Sequence, residues 1–148
     1  MARFKDEGII VAAFQQHLQP GEQLYNYAYG VKQPPFLLIL VLMLLAVVPG
    51  VIATALLTKE YVIGLTDRRL IVIRFSGKLN PKEVFDYPLY QLPPVKTSTG
   101  ALFTHITIKD PRKPFVAKFH RLGLKTNRDQ AMAIAQILEQ RQLPGRAA

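Results

Sequence analysis

The sequence predicts a mainly β domain with a helix at each end and an apolar segment inserted after its first strand. Three observations carry this expectation. Segments rich in β-branched and aromatic residues recur between residues 22 and 120, divided by Pro, Gly and Asp turn signals. The chain then closes on one amphipathic helix. Residues 36–57, FLLILVLMLLAVVPGVIATALL, form a 22-residue run in which only Pro49, Gly50 and Thr54 are not plainly apolar.

No charge occurs between Lys32 and Lys59. A helix needs about 20 apolar residues to cross ~30 Å of hydrocarbon, so the run reads as membrane-inserted through residues such as Phe36, Leu40, Leu44, Pro49, Gly50 and Leu56. It starts too late for an ordinary signal peptide. A single span kinked at Pro49 fits its length. So does a re-entrant hairpin, entering over residues 36–48, turning at Pro49-Gly50 and leaving over residues 51–57.

Charge places the rest. The chain carries a net +9. Residues 1–35 sum to zero, because Arg3, Lys5 and Lys32 balance Asp6, Glu7 and Glu22. Residues 58–148 hold 16 of the 19 basic and 7 of the 10 acidic residues, hence all of the excess. Basic flanks stay on the cytoplasmic side, so the expected location is the cell membrane with residues 58–148 cytoplasmic. The absence of cysteine excludes disulfides, zinc–thiolate sites and thiol catalysis.

In chain order, residues 4–18 read as a short amphipathic helix with Ile10, Ala13, Phe14 and His17 at helical spacing, ended by Pro20-Gly21. In residues 22–31, Tyr25, Tyr27 and Tyr29 alternate, which puts three rings on one face of a first strand. After the apolar run, residues 60–66 and 70–75 are β-rich and joined tightly by Asp67, Arg68 and Arg69. Residues 76–81 are a loop by composition, and 84–92 form a strand broken by Pro88. A short strand over 95–98 and a hairpin of 101–109 with 115–120 follow. The last helix spans about 128–142, with Asn127 as N-cap, Gln130 completing an approximate capping box, and Pro144-Gly145 as its stop.

Seven antiparallel strands capped by a C-terminal helix is the pleckstrin-homology-like (PH-like) plan, a barrel or sandwich. The stretch 61–73, YVIGLTDRRLIVI, is similar to the hairpin of bacterial PH domains and their GRAM-like relatives, as are the Pro20-Gly21-Glu22 turn and the segment 87–95. The resemblance covers about residues 20–141 and implies fold more than function, because such domains bind lipids, peptides or one another. It divides the chain into residues 1–35 (helix and first strand), 36–57 (membrane insert) and 58–148 (PH-like domain with its terminal helix). A first strand paired with residues 60–66 would keep both ends of the insert on one side of the bilayer, which favours the hairpin.

No catalytic constellation stands out. His17, His105 and His120 lie far apart, and neither a nucleophile elbow nor a phosphate-binding glycine loop is present. An enzyme, a metal and a cofactor are therefore not expected. The basic residues Arg68, Arg69, Arg74 and Lys78 around the first hairpin, and Arg112, Lys113, Lys118, Arg121 and Lys125 around the last, are the candidate binding set. Gathered at one end of a barrel, they would meet anionic lipid headgroups or a membrane-protein partner. The alternative is a non-catalytic accessory or scaffold subunit of a larger membrane complex, or a homo-oligomer, using the apolar insert and a sheet edge for contacts. Nucleic acid is not an expected partner, since the aromatic residues sit at buried-looking strand positions.

Overall fold

The computed structural model describes residues 8–32, 36–45, 47–57, 59–75, 81–120 and 126–147. The element order is α1 (Gly8–Gln15), β1 (Leu24–Lys32), α2 (Phe36–Leu45), α3 (Val47–Leu57), β2 (Lys59–Thr66), β3 (Arg69–Phe75), β4 (Pro81–Pro88), a 3-10 turn at Leu89–Gln91, β5 (Val95–Thr99), β6 (Phe103–Ile108), β7 (Phe115–His120) and α4 (Asn127–Ala147). The seven strands form one antiparallel sheet ordered β4-β3-β2-β1-β7-β6-β5. The first strand is thus a central member, registered against β2 from Leu24↔Thr66 to Lys32↔Lys59.

The sheet curls around its inner face. Ile63, Leu70, Val72, Ile106 and Phe119 point inward, and α4 fills the opening with the predicted stripe Ala131, Ile134, Ala135 and Leu138. Burying Ile134 and Leu138 alone contributes roughly 1.5–3 kcal/mol each. The curl brings β4 towards β7, so that Phe85 meets Phe115 at 6.3 Å and Phe115 meets the edge of Tyr61 at 5.1 Å. Seven curled antiparallel strands with a C-terminal helix make the architecture PH-like.

A second, smaller core lies on the outer face of β1–β3. There α1 packs Ile10, Ala13 and Phe14 over Val62, Ile71, Ile73 and Phe75, with Tyr27 and Tyr29 beside them. Gly64 permits this contact, since a Cβ on it would stand 2.7 Å from the Phe14 ring. Tyr27 and Tyr29 are therefore packing residues, whereas Tyr25, at the register shift between Leu24 and Asn26, is exposed.

Two helix signals resolve differently from their sequence reading. Asn127 does not cap α4. Its Oδ1 accepts from Tyr29 N at 2.7 Å, while its Nδ2 donates to Tyr29 O at 2.8 Å and His120 O at 2.7 Å. It stands in for a missing strand partner, because β1 pairs with β7 only at Val31↔Lys118. Gln130 likewise reaches the sheet, accepting from Asn26 Nδ2 at 2.8 Å. Pro144-Gly145 does not stop α4, which runs to Ala147. Within the last turn of a helix a proline removes few hydrogen bonds, so the interruption is cheap there.

The apolar insert forms two helices, and among the described residues no helix is long and apolar enough to cross a membrane. Residues 36–45 and 47–57 are two separate helices, the arrangement of a hairpin more than of one continuous span. The turn is displaced from Pro49-Gly50. One helix ends at Leu45 and the next begins at Val47, which puts Pro49 in the first turn of α3, where its missing N–H has no helical partner to lose. Gly50 is a contact residue: a Cβ there would lie 2.7 Å from Leu42 O on α2.

Candidate functional site

The register fixes which loops share a pole. Lys32↔Lys59, Glu60↔Phe75 and Ile108↔Phe115 all lie at the same end of the sheet. That end emits the α2–α3 hairpin, the β3–β4 connection and the β6–β7 loop 109–114. The Asp67-Arg68 turn closes the opposite pole, where Arg69↔Pro88 and Leu70↔Tyr87 pair.

At the hairpin pole, apolar surface and positive charge meet. Ten of the sixteen exposed large apolar side chains among the described residues belong to α2 and α3, with Leu40 42% and Leu44 78% exposed. A helix pair apolar on every side and left uncovered marks an interaction surface. Phe36 begins α2 and Leu56 lies in α3. Around the base, Lys32, Lys59, Lys82, Lys109 and Arg112 are exposed. None of these five side chains has an ion pair among the described residues.

Two further cations there are committed internally. Glu83 accepts from Lys113 Nζ and lies 3.4 Å from Arg74 Nε. The Lys113 hydrogen bond and both positive charges hold the Glu83 carboxyl below its usual range. Lys113 also lies over the Phe85 ring, 4.8 Å from its centroid, and its carbonyl accepts from the Tyr87 hydroxyl. Burial pushes the Tyr87 and Tyr61 hydroxyls up, so both stay protonated.

Arg68 and Arg69 stand at the other pole, which corrects the expectation that all the basic loops share one end. The reason is strand parity: each antiparallel hairpin puts alternate connections at opposite ends. Arg69 is structural. Its Nε lies 3.0 Å from Oε2 of the buried Glu22, and its Nη1 lies 2.8 Å from Asp86 Oδ2. Glu22 also accepts from Thr66 Oγ1 at 2.6 Å and Gln19 N at 2.9 Å. Burial would raise the Glu22 carboxyl, but the hydrogen bonds from Arg69, Thr66 and Gln19, with the charge of Arg69, outweigh it and hold it at about 2. The hydrogen bond to Glu22, with that to Asp86 and the charge of both carboxylates, keeps the Arg69 guanidinium above its ordinary value.

Arg68 is half-exposed, donating to Gln19 Oε1 at 3.0 Å and Pro20 O at 3.3 Å. A cleft of about 500 Å³ opens beside it, lined by Asp67, Asp86, Leu89, Tyr90 and Arg141. Its arginines and carboxylates largely neutralise one another, so it offers little net charge to a ligand.

Lys118 belongs to neither pole; it lies midway along β7 on the outer face. Lys78, Arg121 and Lys125 fall outside the described residues. Sequence reasoning missed Lys32, Lys59, Lys82 and Lys109 as site residues. The visible signal was that Lys32 and Lys59 bracket the apolar run, and strand pairing is what makes them neighbours. Among the described residues no three His, Asp or Glu side chains gather as a metal site.

No protein-family model matches the chain, and no curated protein is similar to it in sequence. The hSac2 domain from human phosphoinositide phosphatase Sac2 superposes with a TM-score of 0.51 at 8% identity, covering 93% of this chain and 81% of that one. The Vps36 N-terminal PH domain reaches a TM-score of 0.45 at 18% identity, covering 88% of this chain and 86% of that one. At 8% identity the hSac2 likeness is one of fold.

Proposed function

We propose that this chain is a non-catalytic, membrane-anchored binding module of PH-like fold, seated at the cytoplasmic face of the cell membrane. The α2–α3 hairpin dips into one leaflet, and the cations around its base meet anionic headgroups. One observation carries the reading: Lys32 and Lys59 pair across β1 and β2, so the apolar insert leaves and re-enters the domain at one point. Each arm, of 10 and 11 residues, is about 15 Å long, roughly half the ~30 Å hydrocarbon core. Headgroup attraction adds about 1 kcal/mol for each basic residue near the surface.

Flotation of the intact protein with vesicles tests this. Association with phosphatidylcholine alone is expected from the hairpin, with a salt-sensitive increase when phosphatidylserine is added. Lys82→Glu with Lys109→Glu should remove the increase and leave the neutral binding. Intact protein that stays unbound to both vesicles overturns the proposal.

A further inference from the structure

We propose that the outward face of β5–β7 docks an acidic segment of a partner protein. This lies beyond membrane seating and rests on a different surface. The outer face of β1–β3 is covered by α1, whereas no described element covers the same face of β5–β7. The register places Lys96, Phe103, His105, Val116, Lys118 and His120 together on that face. Ser98 and Thr107 are its other outward residues, so β5, β6 and β7 present no carboxylate there. Glu60, on the same side of the sheet, lies beyond β1.

The cluster is ordered. Phe103 meets His120 edge-on at 4.8 Å and His105 at 6.1 Å, and Lys118 Nζ stands 5.0 Å from the Phe103 centroid. Two ammonium groups beside an aromatic–aliphatic strip of Phe103 and Val116 complement a segment that mixes carboxylates with apolar side chains. A single-stranded nucleic acid fits less well. Base stacking needs a free aromatic face, and that of Phe103 carries Lys118.

The test uses the full chain in phosphatidylcholine nanodiscs, titrated with a fluorescent peptide alternating Glu with Leu over about ten residues. Saturable binding that weakens with salt is expected. Lys96→Glu with Lys118→Glu should weaken it by about tenfold or more. Lys96→Gln with Lys118→Gln, gentler on the fold, should give a smaller loss in the same direction, and Arg141→Glu on α4 should leave binding unchanged. Absence of saturable binding, or binding indifferent to the Lys96 and Lys118 changes, overturns the proposal. Tighter binding of a single-stranded oligonucleotide of equal charge, lost in the same variants, also overturns it and assigns the face to nucleic acid.

Discussion

A carboxylate as buried as Glu22 persists only because its partners arrive with it. Its two oxygens are shared among Arg69, Thr66 and Gln19 N, which ties the turn before β1 to the β2–β3 hairpin. Arg69→Ala strands that charge and should cost about 3–5 kcal/mol in chemical denaturation. The half-exposed Arg68 holds only surface contacts, so Arg68→Ala should cost about 0.5 kcal/mol. Equal losses in the two variants would refute this division of labour. The pH dependence has a definite sign. The folded pKa is about 2 against an ordinary 4.5, so between these values the unfolded chain binds more protons. The contribution of Glu22, roughly 3 kcal/mol, is complete above pH 4.5 and lost as pH falls through 2. Glu22→Gln should flatten that part of the stability–pH curve. The tight hairpin that carries Arg68 and Arg69 was legible in the sequence. Asn127 was not legible, because an asparagine at a helix start has the same sequence signature whether it bonds helix N–H groups or a strand behind it.

At the scale of elements, strands were easier to read than helix ends. Alternation along residues 103–108 follows from facing one core, and along 24–32 from Ala28 facing one core while Tyr27 and Tyr29 face the other; a period of two survives any curl of the sheet. In a uniformly apolar run no periodicity marks where a helix breaks, and Pro49 serves as well inside a first turn as at a bend. The clue to the hairpin lay outside it, in the pairing of its flanking strands. Gly50 stands where the two helices meet, so Gly50→Leu should pry them apart while sparing the sheet. The expected outcome is weaker vesicle association with an unchanged unfolding midpoint. Leu44, with Leu45 the most exposed of the described side chains of α2, gives a sharper test. Leu44→Asp should reduce association by up to about 2.5–3.5 kcal/mol, the cost of an acid deep in hydrocarbon. Vesicle association unchanged in both variants would mean that the hairpin does not enter lipid.

For the whole molecule, the pairing of β1 with β2 fixes topology. Residues 1–35 carry no net charge, and a neutral segment can be translocated cheaply, so charge alone would allow the N-terminus to cross the membrane. Strand pairing forbids it. Eight residue pairs join β1 to β2, and Asn26 and Tyr29 are bonded in turn to Gln130 and Asn127 of α4. Moving β1 across the bilayer would strip those backbone groups of their partners and uncover the core beneath Ala28. Both termini should therefore lie on the same side, which the proposed seating makes the cytoplasmic one. Protease-cleavable tags fused before Met1 and after Ala148, in sealed vesicles of known orientation, would report this directly. Both tags should be cleaved in vesicles exposing the cytoplasmic face, and both protected in vesicles of the opposite orientation. If one tag is cleaved while the other is protected in the same vesicles, β1 and β2 lie on opposite sides of the membrane and the sheet described here is not the one formed in the bilayer.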